Sequence, residues 1–97
     1  MLHTINKSPF QSDSLSTCLR CVQGGEPILL IEDAVYAAAN RGKFAEQVQG
    51  QMASNPIYAL SGDLKARGVS SLIDGVTVID YEGFVELVEQ HQVNSWL

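Results

Sequence analysis

The chain has few basic residues, and this scarcity argues against direct binding of nucleic acid. Its 97 residues include six Lys and Arg against eleven Asp and Glu, which gives a formal net charge of −5 at pH 7. Proteins bind nucleic acid through clustered cations that neutralise a track of phosphates. The basic side chains here are scattered along the chain: Lys7, Arg20, Arg41, Lys43, Lys65 and Arg67. We therefore expect no direct nucleic-acid binding by this chain.

Long apolar runs and a basic leader are also missing. A membrane-spanning helix needs about 20 consecutive apolar residues, and a secretory signal needs an apolar core behind a basic start. The two cysteines, Cys18 and Cys21, are more typical of free thiols in a reducing compartment than of a disulfide framework. The sequence therefore predicts a cytoplasmic protein without membrane contact.

Motifs for cofactors and metals are missing as well. Neither phosphate-binding pattern, GxGxxG or GxxxxGK, occurs in the sequence. His3 and His91 lie far apart and do not complete a zinc-ligand spacing with the cysteines. Cys18 and Cys21 have the CxxC spacing of dithiol redox motifs, but those motifs place the first thiol at a helix N-terminus, and here we expect both inside a helix. We expect neither a cofactor nor a metal site.

Four short apolar segments alternate with helical patterns: residues 2–5, 28–31, 57–60 and 76–79. The second is a continuous apolar run, and the third and fourth are nearly so. Runs of this kind are typical of strands buried on both faces, as in a parallel sheet. Strands that alternate with helices form βαβ units. A chain of 97 residues is one domain, spanning residues 1–97. We expect a single small α/β domain with a mostly parallel sheet flanked by helices.

The first helix carries both cysteines. Ser12 or Asp13 can cap its start, and Gly24 with Gly25 can end it. Its apolar positions follow the i, i+3, i+4, i+7 spacing of one helical face: Leu15, Cys18, Leu19 and Val22. This spacing predicts that Cys18 is buried, and burial raises the pKa of a thiol.

Polar residues mark the starts of the other helices. Asp33 and Asp80 are expected to cap helices rather than to form an acidic phosphoacceptor pocket, since no lysine follows a late strand. Ser61 should cap a third helix that Gly68 ends. In the last helix four side chains should face inward: Tyr81, Phe84, Val85 and Val88.

Two apolar segments could serve either this domain or a partner. Residues 34–39 (AVYAAA) have almost no polar side chain, and the chain ends in Trp96 and Leu97. Small residues let a helix pack closely against the sheet or against another subunit, and an apolar tail must dock on one of the two. The sequence leaves both alternatives open.

Four segments, taken in order, resemble the TusB/DsrH family, the small subunit of the TusBCD and DsrEFH sulfur-relay complexes. They are residues 1–10 (MLHTINKSPF) with the helix around Cys18, residues 31–33 (IED) with the alanines that follow, residues 63–68 (DLKARG), and residues 78–85 (VIDYEGFV). The resemblance spans essentially the whole chain. It implies the DsrEFH-like fold, a flavodoxin-like three-layer α/β architecture.

The resemblance also implies a subunit of a hetero-oligomeric sulfurtransferase, a heterohexamer with TusC/DsrF-like and TusD/DsrE-like subunits. In such a complex the sulfur-accepting cysteine belongs to the TusD/DsrE-like subunit, and persulfide sulfur passes to a TusE/DsrC-like carrier. This chain would be an accessory subunit. Cys18 matches a cysteine of DsrH-type members and is a candidate accessory sulfur site. The candidate interface residues are His3, Lys7, Pro9, Phe10, Tyr36 and Trp96.

The two branches of the family differ in their product. In the Tus branch sulfur ends in 2-thiolation of the wobble uridine of tRNA, and in the Dsr branch it serves dissimilatory sulfur oxidation. Cys18 favours the Dsr branch, whereas the wider occurrence of the tRNA pathway favours Tus, our first hypothesis. A non-catalytic, self-associating α/β binding module is the alternative from another class, and a standalone dithiol oxidoreductase is the third.

Overall fold

A computed structural model describes residues 1–97 as five strands and four α-helices. The strands are β1 (Leu2–Ile5), β2 (Ile28–Leu30), β3 (Ile57–Leu60), β4 (Thr77–Ile79) and β5 (Val93–Trp96). The helices are α1 (Ser14–Cys21), α2 (Ala45–Gln51), α3 (Ser61–Ala66) and α4 (Tyr81–Gln90), and a 3-10 helix spans Glu32–Ala38. No helix has both the length and the apolar composition needed to cross a bilayer.

The strands form one parallel sheet in the order β4-β3-β2-β1-β5. This confirms the predicted fold class, and the four predicted strands appear within one residue of their expected bounds. The fifth strand, β5, was not predicted. It pairs with β1, with Val93 beside Leu2 and Trp96 beside Ile5. Its two middle residues, Asn94 and Ser95, are polar, so it lacks the apolar run that identified β2, β3 and β4.

One face of the sheet carries the main core. Ile5, Leu30 and Ala59 are register neighbours in adjacent strands and point to this face. They belong to a cluster of 15 buried residues that includes side chains of α1, α2, α3 and the 3-10 helix. On the other face Leu2 and Leu29 are fully buried. Both faces are therefore covered, which gives the three layers that the resemblance implied.

Helix α4 covers the second face. Successive strands run from β1 to β4 in one direction across the sheet, so a right-handed return from β4 to β5 places α4 on the opposite face. Phe84 and Leu87 are its half-buried apolar side chains. The prediction that Tyr81, Val85 and Val88 face inward is wrong, because all three are exposed. The apolar side chains of α4 extend around a wider part of the helix than the sheet can bury.

The predicted helix ends are confirmed at some positions and wrong at others. The Asp80 side chain accepts from the Gly83 N–H at 2.9 Å and caps α4 as expected. Gly68 has a φ of +68°, the left-handed conformation that ends α3. Asp33 and Ser61 do not cap their helices. Asp33 instead forms an ion pair with Arg67, 34 residues away.

Helix α1 follows its prediction at the start and departs from it at the end. The Ser12 hydroxyl accepts from the Ser14 N–H at 3.1 Å, whereas Asp13 makes no capping hydrogen bond. The helix ends at Cys21, because Val22 is already extended, with φ −66° and ψ 145°. Gly25, expected to end the helix, has a φ of +87° in the loop that follows.

Candidate functional site

His3 lies in the middle of β1 and is only 5% exposed. Its Nδ1 accepts a hydrogen bond from the Trp96 indole N–H at 3.0 Å. Its Nε2 lies 3.0 Å from the Glu26 carboxylate, which can only accept. The imidazole therefore carries its proton on Nε2 and has both nitrogens paired. His3 links the first strand of the chain to the last and to the loop before β2.

Glu26 supplies the negatively charged carboxylate of this network. Its carboxylate accepts from the Gln23 N–H at 2.8 Å and from His3, and it lies 3.5 Å from the N-terminal ammonium. The Gln23 hydrogen bond, followed by that of His3, lowers the pKa of Glu26 from 4.5 to about 2. The carboxylate is consequently ionised at neutral pH.

The loop that carries Glu26 is held by a buried amide. Asn55 is almost fully buried, and its Nδ2 donates to the carbonyls of Gln23 and Glu26 at 2.7 and 2.9 Å. Its Oδ1 accepts from Gln51 at 2.6 Å. Sequence reasoning missed both Glu26 and Asn55. The partners of Asn55 in this loop lie 29 and 32 residues away, so no local pattern identifies them.

Cys18 is buried as predicted, with no exposed surface, inside the main core. Burial raises the pKa of its thiol to about 12, and the nearby Cys21 and Glu26 add to the rise. The thiolate is the nucleophilic form of cysteine, so Cys18 is unreactive in this conformation. Cys21 lies one helical turn further on and is exposed.

A second polar cluster lies at the carboxyl ends of β2 and β3. Glu32 has a φ of +51°, unusual for a residue with a Cβ, and its N–H donates to the Asp63 carboxylate at 2.7 Å. Arg67 bridges Asp33 at 2.8 Å and Asp63 at 3.5 Å. The hydrogen bond that Arg67 donates to Asp33 raises the pKa of the guanidinium above its ordinary value. The two carboxylates neutralise this guanidinium, so the cluster ties α3 to the 3-10 helix.

The candidate interface residues fall into two groups. His3 and Trp96 are joined inside the protein, which places Trp96 on its own domain. Pro9 is buried, while Lys7, Phe10 and Tyr36 are exposed. The Phe10 ring packs edge-on against Phe44 with centroids 5.3 Å apart. The interface role of all six residues stays a prediction.

The structure assembles hydrogen-bonded networks rather than an activated nucleophile. No three His, Cys, Asp or Glu side chains gather where they could hold a metal ion. Three of these polar side chains link segments far apart in the chain. His3 joins β1 to β5, Asn55 fixes the loop before β2, and Arg67 joins α3 to the 3-10 helix.

Comparisons with known proteins place the chain in a family. Residues 7–94 match the family described as "DsrH like protein". The chain is similar to Protein TusB of Escherichia coli K12, with 37% identity over 92 residues and 94% of each chain covered. It is similar to Protein TusB of Shigella flexneri, with 36% identity over the same length and coverage.

Solved structures show the same fold at lower sequence identity. The crystal structure of the ychN protein from E. coli has a TM-score of 0.79 at 20% identity and covers 97% of each chain. The solution structure of protein Tm0979 from Thermotoga maritima has a TM-score of 0.61 at 22% identity and covers 95% of each chain. The solved structures thus agree with the fold of this chain. The family match and the curated relatives show that the chain belongs to the TusB/DsrH family of sulfur-relay subunits.

Proposed function

We propose that this chain is the non-catalytic, assembly-forming subunit of a Tus-type sulfur relay that supplies sulfur for 2-thiolation of the wobble uridine of tRNA. Membership of the TusB/DsrH family supports a place in a Tus/Dsr sulfur-relay complex. By resemblance to that family, the partners are TusC/DsrF-like and TusD/DsrE-like subunits in a cytoplasmic heterohexamer. A TusE/DsrC-like carrier then receives the sulfur from the complex.

The burial of Cys18 is the observation that carries this proposal. A sulfur acceptor must attack as a thiolate and must be reached by the donor. Cys18 has no exposed surface, and the pKa of its thiol is about 12. A thiol in this state takes sulfur slowly unless the helix opens. By resemblance to the family, the main acceptor is a cysteine of the TusD/DsrE-like partner, and Cys18 serves at most as an accessory sulfur site.

The charge of the chain supports a division of labour within the complex. The formal net charge is −5, and no cluster of basic side chains offers a phosphate track. Contact with tRNA then belongs to another component of the relay. The exposed side chains of Phe10, Tyr36 and Lys7 are available for contacts with partner subunits.

The proposal is tested by loading the intact complex with sulfur. The chain is co-expressed with the TusC/DsrF-like and TusD/DsrE-like subunits of the same organism, and a cysteine desulfurase with cysteine supplies sulfane sulfur. Mass spectrometry of each subunit should place the dominant persulfide on the TusD/DsrE-like partner. The same complex, and not the isolated chain, should pass sulfur onward. Failure of the chain to co-purify with either subunit would reject the assembly role.

Cysteine variants separate an accessory site from a catalytic one. In the Cys18→Ser complex sulfur transfer should persist, and Cys21→Ser is the matched control on the same helix. If Cys18→Ser abolishes transfer while the complex remains intact, the chain is catalytic and the proposal is wrong. Gel-shift assays with the isolated chain and tRNA should show no salt-resistant, sequence-selective complex.

A Dsr-type role in sulfur oxidation is the second candidate, and Cys18 is the observation that favours it. This cysteine matches a position typical of DsrH-type members. Complementation decides between the two branches. The three subunits are introduced into a strain that lacks its own TusBCD genes, and 2-thiouridine in digested tRNA is measured by mass spectrometry. Recovery of 2-thiouridine supports the Tus branch, and its absence with an assembled complex supports the Dsr branch.

A further inference from the structure

We propose that the outer stripe of α4, formed by Tyr81, Val85 and Val88, docks on a related α/β subunit that presents an apolar groove edged by Lys or Arg. This inference rests on the proposed function, since it names a surface by which the chain joins its complex. It concerns a part of the molecule outside the candidate interface residues of the sequence. Three observations on α4 carry it.

The first observation is the width of the apolar arc. Tyr81, Val85 and Val88 are spaced i, i+4, i+7 and therefore form one line along the helix. They are 71%, 37% and 40% exposed. The half-buried Phe84 and Leu87 occupy the side turned to the sheet. The arc therefore continues past the sheet into solvent, where part of each of these side chains remains uncovered.

The second observation is the position of Tyr81. Its ring packs edge-on against Phe84 with centroids 5.9 Å apart. This contact connects the exposed stripe to the half-buried row and limits the freedom of the tyrosine ring. An ordered, exposed tyrosine loses little conformational entropy when a partner covers it, and tyrosine is enriched among residues that dominate binding energy.

The third observation is the charge of the helix. Glu82, Glu86 and Glu89 lie on α4, and residues 81–90 contain no Lys or Arg. The last turn carries no basic residue, so Glu89 faces the negative end of the helix dipole. This arrangement is unfavourable for the isolated helix. A cationic partner surface would relieve it.

The acidic residues on α4 indicate which kind of partner fits the stripe. A second copy of this chain would bring acidic flanks together if the two α4 stripes met, and like charges across an interface oppose association. A different subunit with basic residues around an apolar groove has no such penalty. A helix of ten residues is about 15 Å long, so its stripe alone is smaller than a standard interface. The stripe is therefore one part of a larger contact.

The test uses the co-expressed complex with the TusC/DsrF-like and TusD/DsrE-like subunits. Lysine at both valines, Val85→Lys with Val88→Lys, should lower the recovery of partner subunits at least about tenfold. Gln90→Lys is the matched control, because Gln90 is exposed on the same helix outside the stripe. It should co-purify normally. Circular dichroism and the thermal midpoint of each isolated variant confirm that the domain still folds.

A charge-reversal variant tests whether the groove of the partner is edged by Lys or Arg. Glu86→Lys with Glu89→Lys should weaken the complex, and its affinity should depend less on ionic strength than that of the unchanged complex. The outcomes separate the two proposals. If the unchanged chain binds neither subunit, the proposed function fails, and this inference fails with it. If the unchanged and double-lysine chains both assemble fully, only the docking surface is rejected. Conversion of a homo-oligomer to a monomer by the double-lysine variant would replace the heterologous partner with a second copy.

Discussion

Replacing Trp96 with phenylalanine removes one N–H group and keeps an aromatic ring at the end of β5. The lost N–H is the donor to His3 Nδ1, at 3.0 Å. His3 is buried, so its Nδ1 would be left without a partner. A buried acceptor without a partner costs about 1–3 kcal/mol. For a domain of this size each kcal/mol corresponds to a fall in thermal midpoint of about 4–8 °C.

A second variant distinguishes the hydrogen bond from simple packing. His3→Leu removes the acceptor of the Trp96 N–H and leaves no unpaired Nδ1 behind. If the cost of Trp96→Phe comes from the unpaired Nδ1, that cost should shrink in the His3→Leu background. A loss of ring volume alone would cost the same in both backgrounds.

The assay is urea denaturation of the unchanged protein, both single variants and the double variant at one pH and one protein concentration, since association adds to the apparent stability. A double-mutant cycle with His3→Leu measures the coupling directly, and an interaction energy of about 0.5–3 kcal/mol is expected. A cost of Trp96→Phe that is equal in the unchanged and the His3→Leu backgrounds, and therefore zero coupling in the cycle, would refute the role assigned to this hydrogen bond.

Two further predictions concern single side chains. The pKa of Glu26 is lowered from 4.5 to about 2, so its ionisation stabilises the folded state above pH 4.5, and this contribution is lost as the pH falls towards about 2. In Glu26→Gln the loss of stability over that interval should be smaller, as followed by acid titration with circular dichroism; identical acid transitions would contradict it. The buried Cys18 should react with a thiol reagent at pH 8 only after unfolding, whereas the exposed Cys21 reacts at once. A folded Cys21→Ser variant that still reacts rapidly would show that Cys18 is accessible.

Much of the fold could be predicted because its middle strand, β2, is apolar throughout. Ile28, Leu29 and Leu30 are all buried, and a continuous apolar run of this length is typical of a strand covered on both faces. The burial of Cys18 likewise followed from its spacing to Leu15 and Leu19. These features depend on neighbours in the sequence, and local patterns report them well.

The candidate site depends on contacts that local patterns do not contain. Trp96 and His3 are 93 residues apart, and Arg67 and Asp33 are 34 apart. Aspartate often caps helices, but Asp33 instead pairs with Arg67, with which it forms a stronger, charge-assisted hydrogen bond. The outward position of Val85 and Val88 was missed because helical spacing identifies an apolar face without telling how much of it the sheet can cover.

The pairing of β1 with β5 has a consequence for synthesis of the chain. The first strand begins at Leu2, but its outer neighbour is complete only at Trp96, after all the other strands and helices have been made. While the chain is being made, β1 therefore keeps one open edge until β5 has been synthesised. Open strand edges are sites of mispairing between nascent chains. A truncation of only the last few residues would leave that edge open permanently, so the short C-terminal segment has a larger effect on folding yield than its length suggests.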